Sequence, residues 1–351
     1  MIKVQDLGII LSKTELEFES QAVLNPACIK IGKFVHMFYR AVAQKNHSTI
    51  GYCKLLNNKI VERSKKPILV PEFAYEKQGV EDPRIIYFEN KYFLFYTAYD
   101  GQNALAAYAT SNDCKKFTKH GLISPQITYD EAKDMFTKHC TLHYRYRWYE
   151  QHYKKTINPS LLLWEKDVMI FPKRINNKIF LLHRVIPGIQ LIKINSFKEL
   201  TLNFWHKHLE NLCEHILLDP VFWFETRKIG GGCPPIRTPE GWLLIYHSVE
   251  DSAKGNIYRA AAALLDLKNP QKVIGRLPYP LFEPNSSWEK KGNVTNVVFP
   301  TGAIVEGPNL IIYYGASDTC IAAKKINLKT LIKELLKNPL ANQTCPINPS
   351  T

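Results

Sequence analysis

Hydrophobic and polar positions recur along the chain as pairs of strands. An apolar, aromatic-rich run ends in a polar cluster, and a second run of small or β-branched residues follows. The pairs are Phe34 to Arg40 with Thr49 to Cys53, Tyr92 to Tyr96 with Leu105 to Ala109, and Ile179 to Arg184 with Ile189 to Ile194. Two more follow, Trp242 to His247 with Tyr258 to Leu265 and Leu310 to Gly315 with Cys320 to Ala323. Short runs of this composition bounded by turn residues read as strands. The repeats start near 33, 91, 178, 241 and 309, at spacings of 58, 87, 63 and 68 residues. Several strands per unit at such a period predict an all-β chain, a five-bladed β-propeller forming one domain over residues 1–351. Pseudo-symmetry then brings equivalent positions to one end of a central channel. Arg40, Asp100, His183, Arg184, His247 and the Tyr314 to Asp318 segment follow the same strand of their own repeats, so they are predicted to meet there.

Three segments break the strand pattern. Residues 128–155 carry Asp130, Glu131 and Asp134 and then Leu142 to Tyr149, and are predicted to be largely helical, packed over the propeller or over a neighbouring subunit of a homo-oligomer. Residues 197–217 form a second predicted helical stretch, and 328–337 a short amphipathic helix before a mobile tail, 338–351. The Gly79 to Arg84 stretch stands out for a different reason. Pro83 donates no ladder hydrogen bond and favours an extended residue before it. Asp82 is therefore predicted to be an extended, rigidly presented acid at the mouth of a sheet.

Composition narrows the class. With 351 residues, 45% of them hydrophobic, the chain can bury a large core. No run approaches the roughly 18 apolar residues of a membrane helix, and the N-terminus lacks a secretory pattern. The eight cysteines form no Cys-x-x-Cys pair or zinc-like spacing, which predicts reduced thiols, a cytoplasmic protein and no metal. The net charge of +14 is dispersed rather than gathered in a recognition module, so nucleic acid is not the expected partner. Such a field suits an anionic co-substrate.

The motifs now have an order. They include Tyr39-Arg40-Ala41-Val42, Gly79 to Arg84, Tyr96 to Gly101, Lys166-Asp167 through Phe171-Pro172, and His183-Arg184. Further on come Gly230-Gly231-Gly232-Cys233-Pro234-Pro235-Ile236, Gly241 to His247, Asn296 to Pro300 and Tyr313 to Thr319. In this order the chain resembles glycoside hydrolase family 130, the inverting β-mannoside phosphorylases. The resemblance implies a five-bladed propeller that uses inorganic phosphate as co-substrate and no other cofactor. It makes Asp82 the general acid, protonating the leaving oxygen directly or through a sugar hydroxyl. Inverting cleavage needs that acid and a nucleophile on the opposite sugar face. Phosphate is already an anionic nucleophile, so cations stand where a hydrolase keeps a base. These cations fall on Lys166, Arg184 and His247, with Asn46 and Ser48 in the first-repeat loop beside phosphate or the adjoining sugar. Asp318, Tyr258, Asn296 and Phe299 would hold the mannosyl unit, and Arg40, Tyr99, Asp100 and His183 would extend that site. Arg84 is expected to point away from the Asp82 carboxylate.

Departures from the family pattern at Thr49, Ser248 and Thr295 bear on the acceptor side more than on the chemistry. The 128–155 insertion and the Gly-Gly-Gly-Cys-Pro-Pro wording are closer to branches acting on β-1,2-linked mannosides. Two readings compete with phosphorolysis. One is an inverting β-1,2-mannosidase that activates water with Glu225 or Glu250. The other is a propeller that only binds glycans, with Asp82 inert. The Gly230 to Gly232 run lacks the ending of a phosphate loop, and is expected to be a close approach of backbone to the channel.

Overall fold

Strand pairing in the computed structural model follows the repeat seen in the sequence. The structure describes residues 2–136, 138–139, 142, 145–146, 161–253 and 255–339. Phe34–Val42, Lys91–Tyr99, Ile179–His183, Trp242–Ser252 and Asn309–Ala316 are the second strands of five antiparallel meanders. The first strands are Ala22–Ile31, Gly79–Phe88, Met169–Ile170, Lys228–Gly231 and Val298–Glu306. In the last repeat the outer position is filled from the other end of the chain, where Val4–Leu11 pairs antiparallel with Cys320–Asn327. The first two repeats touch through one parallel pair, Ser48 with Gly79, so the strands form four sheets, one of them eight-stranded.

Apolar packing joins the repeats in cyclic order. One buried cluster unites the first and second repeats through Phe38, Ile50, Leu94 and Ala107. Others unite the second with the third, the third with the fourth, and the fourth with the fifth. A fifth cluster returns from the last repeat to the first through Ile311, Tyr313, Ile321, Met37 and Tyr39. Each sheet is therefore covered on both faces. That is why its strands read as continuous apolar runs instead of alternating ones.

A buried carboxylate recurs in the repeats. Glu19 accepts from Tyr39 Oη at 2.7 Å and pairs with Arg63 at 2.9 Å. Glu76 does the same with Tyr96 (2.7 Å) and Lys119 (2.5 Å). Glu225 takes Tyr246 (2.8 Å) and Arg276 (2.8 Å), and Glu289 takes Tyr314 (2.5 Å) and Lys324 (2.8 Å). All four glutamates are fully buried. The third repeat varies the theme: Glu165 contacts His183 Nδ1 at 3.0 Å, and His208 contacts the other ring nitrogen at 2.8 Å.

The expected helices are realised in part. Thr128 caps a helix over Tyr129–Met135, and the remainder of the 128–155 expectation lies mostly outside the described residues. The 197–217 stretch is not one helix. It is a short turn at Phe197–Glu199, helices Leu202–Glu210 and Leu212–His215, and a strand, Ile216–Leu218, that pairs with the third repeat. The C-terminal helix runs Leu328–Leu336 and buries Leu331, Ile332 and Leu335 against the fourth and fifth repeats. Beyond residue 339 the expected tail lies outside the described residues. Among the described residues five cysteines are free and buried, while Cys213 is disulfide-bonded, which departs from the expectation of reduced thiols. Among the described residues no helix is long and apolar enough to cross a membrane.

Replacing Glu225 by Ala removes the carboxylate that pairs with the Arg276 side chain, which is 2% exposed. Breaking a buried pair from one side costs about 3–5 kcal/mol. A lower urea midpoint with unchanged slope is expected; a wild-type midpoint would remove the buried carboxylate from the account of stability.

Candidate active site

Two adjoining compartments are lined by residues from all five repeats. The smaller, about 200 Å³, has an acid end formed by Asn25, Arg40 and Asp82 and a cation-rich end formed by Lys166, Arg184, Lys228 and His247, with Asp167 among the cations. Tyr258, Val294, Val297, Phe299 and Asp318 complete it. Arg40, Arg184 and His247 each directly follow the residue that contacts the buried carboxylate of its repeat, namely Tyr39, His183 and Tyr246. Successive side chains on a strand point to opposite faces. Anchoring one in the interior turns the next toward the cleft.

At the acid end, Asp82 is not the extended residue expected before a proline. The strand Gly79–Phe88 runs through it with a bulge, marked by a register shift between Glu81 and Arg84. Asp82 has φ +48°. Asn25, also followed by proline, sits in the matching bulge of the first repeat with φ +49°. Such bulges remove the proline from the ladder and re-aim the side chain before it. Asn25 Nδ2 donates to Asp82 Oδ1 at 2.7 Å, and Arg40 Nη1 lies 3.8 Å from the same oxygen. The stronger partner of Arg40 is Glu81, at 2.7 Å. Arg84 does point elsewhere. It donates to the main-chain carbonyls of Asp82 (3.0 Å), Gly231 (3.2 Å) and Gly232, and pairs with Asp167 at 3.1 Å.

Asp167 organises the cation-rich end. Its Oδ1 holds Arg84 and its Oδ2 holds Arg184 at 2.6 Å, with His247 Nε2 at 4.0 Å. Burial opposes its charge, but Arg184, His247 and Arg84 outweigh burial and lower its carboxyl to about 2. Burial, aided by Arg184, Lys228 and Arg84, lowers His247 to about 3 against the pull of Asp167. The ring is thus neutral at physiological pH, with one N–H to donate. Burial and the nearby Arg184, Lys166 and Arg227 push the Lys228 ammonium well below its ordinary value. Among the described residues, Arg184 Nε and His247 Nδ1 are buried without a hydrogen-bond partner. A Cβ on Gly230 would stand 2.5 Å from Asp167 Oδ2 and 2.9 Å from Arg184 Nη1, which accounts for the glycine run as a close backbone approach.

The aromatic residues form one wall. The His247 ring lies 4.4 Å from Phe299 and 6.3 Å from Tyr258. Other expected site residues are set apart. Asn296 lies outside the lining, and its carbonyl accepts the Tyr258 N–H at 2.9 Å. Asp100 caps its own turn, accepting from Gln102 and Asn103 N–H at 2.7 and 2.6 Å. His183 is buried in its contacts with Glu165 and His208. Ser48 sits behind Arg40, accepting from its Nε at 2.9 Å. Asn46 and Tyr99 line the second compartment instead. Lys166 pairs not with its neighbour Asp167 but with Glu81, at 3.8 Å. Glu225 is locked in its buried pair, and Glu250 holds Arg259 at 2.6 Å. Neither lines the cleft.

Sequence reasoning missed Lys228, Asn25 and Trp164. Lys228 directly precedes the Ile229 and glycine run, Asn25-Pro26 repeats the Asp82-Pro83 dipeptide one unit earlier, and Trp164 lies two residues before Lys166. Each signal was present, but each needed a partner element to give it meaning.

Burial raises Asp318 to about 6; Arg40 opposes this, while Asp82 and Glu81 reinforce it. The native state therefore holds a proton that the unfolded chain has lost between about pH 4 and 6, and stability falls as pH rises through that window. Asp318→Asn carries no charge to bury. Its melting temperature is expected to exceed the wild type's above pH 6 and to converge with it below pH 4; a gap independent of pH would contradict this.

The family model described as beta-1,4-mannooligosaccharide phosphorylase, glycoside hydrolase family 130, matches residues 10–337. The chain is similar to the beta-1,2-mannobiose phosphorylase of Thermoanaerobacter sp. (strain X514), 34% identical over 342 residues, covering 93% of this chain and 97% of that protein. It is also similar to the 1,2-beta-oligomannan phosphorylase of the same organism, 30% identical over 341 residues, covering 94% and 98%. In fold it is similar to the Listeria innocua beta-1,2-mannobiose phosphorylase in complex with beta-1,2-mannobiose, with a TM-score of 0.69 at 21% identity, covering 95% of this chain and 99% of that one. With that match over nearly its whole length, the chain belongs to glycoside hydrolase family 130.

Proposed function

We propose that this protein is an inverting β-mannoside phosphorylase acting on β-1,2-linked manno-oligosaccharides, built as a single five-bladed propeller. The cyclic set of five apolar interfaces supports the blade count. The observation that carries the activity is the composition of the cation-rich end. Arg184 and His247 have buried, unpartnered nitrogens, and Lys228 has a depressed ammonium beside them. A phosphate dianion satisfies those donors and relieves the repulsion that burial imposes on the cations. Water could accept from the same donors, but it brings no negative charge to offset the clustered cations. The linkage is supported by the names of the two Thermoanaerobacter relatives.

In this reading a phosphate oxygen attacks the anomeric carbon from the side of Arg184, Lys228, His247 and Lys166. The glycosidic C–O bond breaks with its electron pair on the leaving oxygen, which takes a proton from Asp82 directly or through a sugar hydroxyl. Attack opposite the leaving group gives α-mannose 1-phosphate from a β-mannoside. Asp318 and Arg40 address hydroxyls of the transferred sugar, and Tyr258 and Phe299 its apolar face. Phosphate contacts move from Asn46 and Ser48 to Lys228. The ester product is charged and stays within a cell, in keeping with the cytoplasmic placement expected from the sequence.

Incubation with β-1,2-mannobiose and longer oligomers should yield mannose 1-phosphate only when phosphate is supplied. Free mannose released equally without phosphate would identify a mannosidase instead. Asp82→Asn keeps a residue type that tolerates positive φ and is expected to lower kcat by about 10²–10⁴. An unchanged kcat would remove Asp82 from the acid role. Arg184→Ala and Lys228→Ala should each lower kcat/KM for phosphate by roughly 10–100-fold; a loss confined to the mannoside KM would count against a phosphate site there.

A further inference from the structure

The second compartment adjoins the first across Arg40, Lys166, Val294 and Asp318, which border both. It measures about 400 Å³ against about 200 Å³. On the phosphorolytic reading, the smaller space takes one mannosyl unit and a phosphate. A space twice that size takes more than one sugar unit.

Its lining is of two kinds. Ala22, Leu24 and Val42 form a small apolar cluster of their own, outside the five clusters that join the repeats. All three line this compartment, together with Trp164 and Tyr99. Trp164 is half-buried and packs on the core between the second and third repeats. Its indole N–H donates to the Gln102 carbonyl at 3.1 Å, and the Lys166 ammonium lies 5.9 Å from its ring centroid. These contacts hold the ring in one orientation. Glu81, Asn46 and Asn293 supply polar groups around the apolar surface. A pyranose has the complementary make-up, with a C–H face and a rim of hydroxyls, and an aromatic ring gives large, rigid contact area to such a face.

We propose that Trp164 is the platform of an acceptor-side site holding at least two sugar units, and that this site makes the protein select mannosides of three or more units over the disaccharide. The inference rests on the phosphorylase reading for the identity of the sugar. Its test does not require turnover.

Calorimetric titration with β-1,2-mannobiose, -mannotriose and -mannotetraose compares the wild type with Trp164→Ala and Trp164→Phe, with circular dichroism as the check on folding. The wild type should bind the trisaccharide roughly tenfold more tightly than the disaccharide. Trp164→Ala should erase that ratio and Trp164→Phe should restore most of it, while the KM for phosphate stays unchanged. If Trp164→Ala does not fold, Tyr99→Ala and the wild-type ratio carry the test. Equal wild-type affinities for the two sugars, or a ratio preserved in the alanine variant, overturn the proposal. A length preference without mannose 1-phosphate formation would sink the phosphorylase reading and leave this site standing. Ester formation with equal kcat/KM on disaccharide and trisaccharide would do the reverse.

Discussion

A fully buried carboxylate, repeated around the molecule, is the interaction on which the site depends. In four repeats it binds a tyrosine hydroxyl from the second strand and a cation from later in the repeat, or from the strand that follows it. In the third, Glu165, His183 and His208 take these parts. An uncompensated charge in a core is costly, so each group holds the others in place. The consequence is geometric. The anchored residue faces inward, and its successor in the strand faces the cleft. Arg40, Arg184 and His247 are such successors. Structural anchors and cleft-lining residues are thus adjacent in sequence and opposite in orientation.

Asp167 makes the second connection, between the strand that carries the acid and the cations that face it. One carboxylate binds Arg84, two residues beyond Asp82, and Arg184 across the cleft. Arg84 in turn donates to the Asp82 main chain. A shift at either end is transmitted to the other through buried, charge-assisted bonds, which are the strong kind. Backbone geometry joins in. Asn25, Asp82, Asp167 and Asp318 all have positive φ, a region that Asn and Asp tolerate better than other non-glycine residues. These positions call for a short polar side chain on conformational as well as chemical grounds.

The contrast between the two compartments follows from what surrounds them. The smaller is crowded with charges that offset one another, and burial shifts several of them: His247 to neutrality, Lys228 down, Asp318 up. The larger shares Arg40, Lys166 and Asp318 with it and adds Glu81, but also has an apolar cluster and the rings of Trp164 and Tyr99. On the reading proposed above, chemistry that moves charge falls to the first, and recognition of an uncharged chain to the second.

The amino-acid sequence by itself determined the repeat, the second strand of every unit, the acid-proline dipeptide and the cations placed just after apolar strands. Those features are local: an apolar run, a turn residue and a neighbour in the chain are enough to read them. Only the tertiary structure decided which side chain of a strand faces the cleft. Sheets covered on both faces lose the alternation that marks inside from outside, so His183 and Arg184 looked equivalent until Glu165 claimed the first. The bulges at Asn25 and Asp82 required knowledge of the partner strand, because a bulge is a mismatch between two strands and not a property of one. Lys228 and Trp164 likewise became parts of a site through the packing of repeats far apart in sequence, since a compartment is made of surfaces that no single segment contains.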